Sequence, residues 1–188
     1  MKTHDFVHLA LDAAGGEIKG RTKLQKTVFF LGILTGHLDD LGYRPHFYGP
    51  YSDTVATSVN GLKSLGFVEE STASAGTINS RGFEIARHDF RLTEEGRKVA
   101  EQKQGQFPED WKQLSAAVGT FKAAGDLDYM KMSVAAKAFF LLKSKGASAT
   151  AKDLSESAAK LGWNPTPEEI TESIGFLEKL ALVSAKPK

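Results

Sequence analysis

Apolar residues recur at a helical spacing between Tyr48 and Glu70. These residues are Val55, Val59, Leu62 and Leu65. In a helix they would all lie on one face. Ser52 stands where an N-cap residue belongs, and Gly66 can adopt the left-handed conformation that ends a helix. The pattern therefore predicts a helix over about residues 52–65, followed by an extended run that begins at Phe67.

Two extended runs follow this central helix and can pair as a hairpin. They cover residues 67–71 and 83–92, and the small polar residues 72–80 between them are typical of a flexible tip. The apolar positions of the second run change parity along its length, which predicts a bulge near residues 87–89. A helix followed by such a hairpin is the core of a winged helix-turn-helix domain.

Two more helices are predicted before the central one. The first covers residues 4–14 and ends at a Gly-Gly pair. The second is expected to begin at Thr22, because Thr22 and Gln25 form a T-x-x-Q capping box ahead of a long apolar run. Phe29 and Ile33 lie off the main apolar stripe of this second helix, so two of its sides are apolar. We expect the second side to be covered by the C-terminal half or by another protomer.

The C-terminal half is predicted to be helical throughout. One helix ends at Gly125, a second covers about residues 128–145, and a third is opened by Thr150. The last begins at Thr166-Pro167, where a proline and a capping Glu form a strong start signal. Before this half, a helix capped by Thr93 follows the hairpin and fades at residues 102–106, which we interpret as the domain boundary.

The end of the chain repeats the pattern of the central helix at a shift of 115 positions. Val59, Leu62, Leu65, Phe67 and Val68 recur as Ile174, Leu177, Leu180, Leu182 and Val183. We therefore predict a mainly α (α+β) protein. Residues 1–104 form a winged helix-turn-helix domain with a small β-hairpin wing. Residues 107–188 form a helical, helix-turn-helix-like C-terminal domain without a full wing.

Composition narrows the classes of function. The 188 residues carry a net charge of +1, which argues against strong non-specific nucleic-acid binding. The absence of cysteine excludes disulfides and thiolate metal sites and fits a reducing compartment. No stretch approaches the ~18 apolar residues of a membrane span. We expect a cytoplasmic protein that does not contact membranes.

No pattern in the sequence favours catalysis. The chain has no phosphate loop, dinucleotide fingerprint or nucleophile elbow, and its adjacent acidic pairs carry side chains that diverge. We therefore expect no enzymatic activity, no cofactor and no metal ion.

Residues on three predicted elements form a candidate DNA-binding set. Small polar side chains on the outward face of the central helix can contact base edges in a major groove. Basic side chains near the start of the second helix and on the hairpin can contact phosphates. The set comprises Lys19, Arg21, Lys23, Lys26, Thr54, Thr57, Asn60, Lys63, Arg81 and Arg87. A solvated polar surface is the alternative interpretation.

Aromatic and apolar residues form a candidate partner-binding set. Tyr48 and Tyr51 belong to an aromatic turn before the central helix, and Phe29 and Ile33 form the second apolar side of the second helix. Aromatic clusters anchor protein partners, although a packed turn that holds the helix against the core is the favoured interpretation of the tyrosines. The second apolar side also favours a homo-oligomer.

Three segments resemble a known family. They are GRTKLQKTVFFL at 20–31, YGPYS at 48–52 and LGFVEE at 65–70, and they resemble the YwgA-like winged-helix proteins of bacteria and archaea. That resemblance covers the whole chain, includes Leu-Gly-Trp at 161–163, and implies a winged helix but no activity. LQK followed by YGP also resembles the Panacea domain of SocA-like antitoxins over about residues 1–100. That second resemblance would imply binding and neutralising a toxin protein.

Two functions are compatible with these observations. The first is a DNA-binding transcriptional regulator of winged-helix type, whose partner is double-stranded DNA. The alternative is a protein–protein interaction module of the antitoxin or adaptor kind, whose partner is a toxin-like protein. Clustered Lys and Arg favour the first, and the near-neutral net charge favours the second.

Overall fold

The structure, a computed structural model, describes residues 1–46, 48–78, 84–125, 127–145, 156, 158–160, 163 and 165–183. Over these residues it is mainly helical, with one small antiparallel sheet. Its elements, in chain order, are α1 (Thr3–Ala13), β1 (Glu17–Lys19), α2 (Arg21–Leu34), a short 3-10 helix (Leu38–Leu41), α3 (Asp53–Ser64), β2 (Val68–Ile78), β3 (Glu84–Leu92), α4 (Glu94–Gln106), α5 (Pro108–Ala124), α6 (Tyr129–Lys145) and α7 (Pro167–Lys179).

The central helix forms as the sequence predicts. α3 begins after Ser52, whose hydroxyl accepts a hydrogen bond from the Val55 amide at 3.0 Å. It ends at Gly66, which has a φ of +74°. Leu65 was expected in the buried stripe, but 66% of its surface is exposed. This part of the prediction is wrong because Leu65 is the C-cap residue, where the chain already turns away from the core.

The predicted hairpin is confirmed, and β1 adds a third strand. The strands lie in the order β1-β3-β2, all antiparallel. Val68 lies opposite Leu92, and Ile18 of β1 lies opposite Phe90. β1 was not predicted, because its three residues are too few to show a period. Phe83 lies outside the described residues.

Two details predicted for the hairpin are wrong. β2 continues to Ile78, so most of the expected flexible tip at 72–80 is strand. The expected bulge near residues 87–89 is absent, because the register is unbroken down to the pair Ser74–Ala86. The register shift lies further out, between Ser74 and Ile78. The predicted change of parity depends on Phe83 and Ile85, whose side chains lie outside the described part of the hairpin.

The start of α2 differs from the predicted capping box. Its N-cap is Gly20, with a φ of 97° and no side-chain cap, and the helix begins at Arg21 rather than after Thr22. Glycine is favoured here because the chain turns directly from β1 into the helix, while the Gly20 amide bonds the His88 carbonyl of β3 at 3.0 Å. The side chain of Gln25 is consequently not used as a cap.

Two apolar cores lie on opposite sides of α2. The first joins α1, α3 and the sheet to α5, and Leu114 and Val118 of α5 belong to it. This core therefore extends past the boundary expected between residues 104 and 107. The second joins α2 to α6 and α7, and Phe29 and Phe30 are fully buried in it. The expectation that the C-terminal half covers Phe29 is confirmed, while Ile33 is partly buried against the same core.

The last helix has the start that its sequence predicts. The Thr166 hydroxyl accepts from the Glu169 amide at 3.2 Å, and the Glu169 carboxylate accepts from the Thr166 amide at 2.8 Å. α6 begins and ends within one residue of the expected helix at 128–145. The start predicted at Thr150 lies outside the described residues.

The predicted repeat has a structural counterpart at the ends of α3 and α7. The Phe67 amide bonds the Leu62 carbonyl, and 115 positions later the Leu182 amide bonds the Leu177 carbonyl, both at 2.9 Å. This six-to-one bond is the mark of a Schellman turn. Its left-handed residue is a glycine after α3 and Ala181, with a φ of 55°, after α7.

Candidate nucleic-acid interface

The outward face of α3 is exposed and smooth. Thr54, Thr57 and Asn60 all point to solvent, as predicted for this face. An open groove of about 530 Å³ runs between it and the start of α1, with His4 on the far wall and Leu65 at one end. The side chains are short and mostly uncharged, so a ligand backbone could approach α3 closely.

Two adjacent side chains of α2 hold the turn that starts α3. The Gln25 amide donates to the Ser52 carbonyl at 3.0 Å, and its oxygen accepts from the Ser52 amide at 3.1 Å. The Lys26 ammonium donates to the Pro50 carbonyl at 2.6 Å. Both side chains are buried, so the position of α3 is fixed to α2 through polar contacts that solvent does not reach.

The burial of Lys26 corrects one member of the candidate DNA-binding set. Only 1% of its surface is exposed, so it cannot reach a phosphate in this conformation. Burial, with a smaller effect from the positive charge of Lys137, lowers the pKa of Lys26 to about 8. Phe29 is likewise removed from the candidate partner-binding set, because the chain's own C-terminal half covers it.

The C-terminal half contacts the same turn from the other side. Ser133 of α6 donates to the Tyr48 carbonyl, and the Trp163 indole donates to the His46 carbonyl at 3.1 Å. The ring of Tyr48 is about half exposed, whereas Tyr51 is partly buried and lies 5.2 Å from the His46 ring. Of the two predicted partner-binding tyrosines, Tyr48 is thus the more accessible.

Glu70, which was not among the predicted site residues, lies where α2, α3 and the hairpin meet. Its carboxylate accepts from Arg21 at 2.8 Å, pairs with His88 at 2.8 Å, and also pairs with Lys63. The hydrogen bond from Lys63, reinforced by Arg21, lowers the pKa of Glu70 to about 2. One signal was available, because Glu70 has the same parity on β2 as the buried Val68.

A second acid neutralises the outer arginine of the hairpin. Arg87 makes two hydrogen bonds to Asp89, at 2.8 and 2.9 Å. Further along β3, Arg91 pairs with Glu69 of the neighbouring strand β2 at 3.3 Å. Three members of the predicted set, Arg21, Lys63 and Arg87, are therefore already ion-paired within the chain.

The remaining basic candidates lie in different places. Lys19 is exposed at the end of β1, and Lys23 is partly buried and lines a cleft beside α5. Arg81 lies outside the described residues. The structure thus brings Arg21 and Lys63 together at Glu70, beside α3. Arg87 lies on the hairpin, Lys19 and Lys23 line the cleft, and Lys26 is buried.

His8 of α1 is a buried titratable group that faces α4. Its Nε2 lies 2.8 Å from the Gly96 carbonyl, which can only accept, so Nε2 carries the proton. Its Nδ1 has no hydrogen-bond partner among the described residues. Burial is the largest cause that lowers the pKa of His8, which falls to about 4.

The described residues include neither a metal-ligand cluster nor a membrane-spanning helix. They contain no group of three or more His, Asp or Glu placed to hold a metal ion. None of their helices combines the length and the apolar character needed to cross a bilayer.

No protein-family model matches the chain, and no curated protein is significantly similar to it.

Proposed function

We propose that this protein is a winged-helix protein that binds double-stranded DNA through α3 and the β2–β3 hairpin. The order of elements supports this, because helix, strand, helix, helix and two paired strands follow one another as in winged helices. The resemblance to YwgA-like proteins agrees with that fold. The proposal is a transcriptional regulator with α3 as its recognition helix.

The observation that carries the proposal is the position of α3. Its outward face is exposed, it carries Thr57 and Asn60, and it lies beside a long hairpin and the first turn of α2. Threonine and asparagine can hydrogen-bond base edges, and the N-terminus of a flanking helix favours phosphate. Arg21 and Arg87 stand on the two flanking elements.

The internal ion pairs set the expected strength of binding. A phosphate that contacts Arg21 must compete with Glu70, and one that contacts Arg87 must compete with Asp89. Such contacts exchange one anion for another and release fewer counterions than contacts by unpaired cations. We therefore expect modest affinity and a salt dependence well below about 0.9 per phosphate contact.

Fluorescence anisotropy with a labelled random-sequence duplex at low salt tests the proposal. We expect Arg21→Ala to weaken binding to every duplex, while Lys98→Ala, on the exposed face of α4, leaves it unchanged. Measured on duplexes of different defined sequence, Thr57→Ala should reduce the preference among sequences, and Thr120→Ala on α5 is its matched control. Absence of binding at tens of micromolar protein contradicts the proposal, since non-specific binders reach about that affinity.

A protein partner is the second candidate function. Leu65 is 66% exposed at the end of the groove between α1 and α3, and the buried core of a protein interface is more apolar than the rest of a protein surface. The neutralised cations around α3 fit this function better than the first. Photo-crosslinking from position 65 in cells tests it, with position 98 as the control site. The same labelled species at both sites would contradict a specific partner.

A further inference from the structure

A cleft separate from the α3 face opens between β1, α2 and α5. Its volume is about 450 Å³, within the range of about 300–1,000 Å³ that holds small ligands. It lies at the place where the first core, the second core and the sheet approach one another. Nothing proposed above uses its interior.

The floor of the cleft is apolar. Ile18 and Val118 form part of it, and each is 6% exposed. Phe121 adds an aromatic ring that is fixed from behind, because it lies 5.8 Å from the Phe30 ring and 5.8 Å from the Phe176 ring. A planar or branched apolar group would therefore find a preformed surface here.

The rim of the cleft is cationic. Three elements each contribute one lysine, namely Lys19 from β1, Lys23 from α2 and Lys122 from α5. Glu17 is the one acidic side chain among the described residues of the lining. An apolar floor under a positive rim is complementary to a molecule with an apolar body and a negative head group.

We propose that this cleft binds a small amphipathic organic anion, such as an aromatic carboxylate. The carboxylate lies at the lysine rim and the ring lies on Ile18, Val118 and Phe121. A metal cation is disfavoured by the lysines, and an inorganic anion leaves the apolar floor unused. Binding of the anion does not depend on DNA binding.

The site has a consequence for the proposed function. Lys19 and Lys23 belong to both the cleft rim and the candidate phosphate contacts. An anion in the cleft would compete with the duplex for these two side chains. If the protein binds DNA, the anion is expected to weaken that binding.

Isothermal titration of the full chain tests the site without DNA. The probes are 2-naphthoate and its neutral isostere 2-naphthamide. We expect saturable one-to-one binding of 2-naphthoate with a Kd of about 1 mM or tighter, as for a ligand of this size with ordinary efficiency. The amide is expected to bind about fivefold more weakly or worse, because the lysines then lose their charged partner.

Two lysine variants and a matched control complete the test. We expect Lys19→Gln and Lys122→Gln together to weaken naphthoate binding by about fivefold to tenfold. Lys112→Gln, on an exposed part of α5, the helix that carries Lys122, should leave naphthoate binding unchanged. The melting temperature of each variant is measured to check that its fold is intact. Absence of saturable naphthoate binding, equal binding of acid and amide, or equal losses in the control variant would each overturn the proposal.

Discussion

The ammonium of Lys26 donates to the backbone carbonyl of Pro50 at 2.6 Å, in a place that solvent does not reach. This bond joins the first half of α2 to the turn before α3. Pro50 leads into the buried Ser52, whose hydroxyl caps α3 and also donates to the Leu41 carbonyl. The orientation of the proposed recognition helix therefore depends on a buried cation.

The first prediction concerns this cation and pH. Burial lowers the pKa of Lys26 from 10.5 to about 8, so the folded state loses this proton before the unfolded state does. Stability should therefore rise with pH between 8 and 10, by about 2–3 kcal/mol. Lys26→Met should lack this rise. Urea unfolding at intervals of one pH unit measures the difference between the two proteins, and parallel curves would contradict the assignment.

Measurements on Lys26 should stop at pH 10. Burial raises the pKa of Tyr43 well above its ordinary value, so above pH 10 the unfolded state gains stability by ionising this phenol. Ionisation of Tyr43 therefore lowers the stability of the folded state as the pH rises, in the wild-type protein and in Lys26→Met alike.

The second prediction concerns His8 at acid pH. Its pKa is about 4 in the folded state and 6.5 when the side chain is exposed. Between these two pH values the unfolded state binds a proton that the folded state does not bind. Stability is full above pH 6.5 and should fall by about 3 kcal/mol as the pH drops to 4. His8→Gln can keep the donor to the Gly96 carbonyl but does not titrate, so its stability should fall less over this window. Equal acid sensitivity would show that other groups cause the loss.

The features that the sequence predicted correctly all have local signals. The caps at Ser52 and Thr166 depend on residues within one helical turn, and the buried stripe of α3 depends on its period. The roles of two buried polar side chains were missed because their partners lie far along the chain. Gln25 bonds a backbone 27 residues away and His8 one 88 residues away. No pattern in the neighbouring residues shows that these polar side chains are buried.

The helices and strands of the candidate site could be predicted from the sequence, but the pairing of its charged side chains could not. The exposed face of α3 follows from the apolar stripe on its other side. The pairing of Glu70 with Arg21 and Lys63 depends on strand register and on the angle between α2 and α3, which composition does not encode. Three of the basic residues predicted to contact DNA, Arg21, Lys63 and Arg87, are therefore ion-paired in the fold.

The third prediction concerns a close approach between α4 and the residue before β2. A Cβ built on Gly96 would overlap the backbone carbonyl of Phe67. Because that oxygen belongs to the backbone, Gly96→Ala must displace a whole element and should destabilise the protein by about 2–3 kcal/mol. Gly105→Ala on the same helix meets open space and should be neutral or stabilising. Urea unfolding compares them, and equal stabilities would show that α4 moves freely.

The fourth prediction uses the repeated helix ends. Ala181 takes the left-handed conformation that Gly66 takes after α3, with φ of 55° and 74°. A side chain costs about 1–2 kcal/mol there, partly offset by the lower entropy of unfolded alanine. Ala181→Gly should therefore stabilise the protein by about 0.5–1 kcal/mol and Gly66→Ala should destabilise it similarly. Thermal unfolding measures both changes, and two changes of the same sign would contradict the shared geometry.

The fifth prediction links the Glu70 ion pairs to DNA binding. Glu70→Gln removes the carboxylate that Arg21, Lys63 and His88 share. Stability should fall by about 1–2 kcal/mol, because solvent screens part of the pairing that lowers the pKa of Glu70. Duplex affinity at low salt should rise about fivefold, since two cations become available to phosphate, and the salt dependence should steepen. Glu69→Gln, one residue away, changes net charge equally but releases only the exposed Arg91 among the described residues. Anisotropy titrations at three salt concentrations compare the two variants. A protein that binds its partner through Leu65 instead would show no gain in DNA affinity from Glu70→Gln, and equal gains in both variants would assign the effect to net charge rather than to the cations around α3.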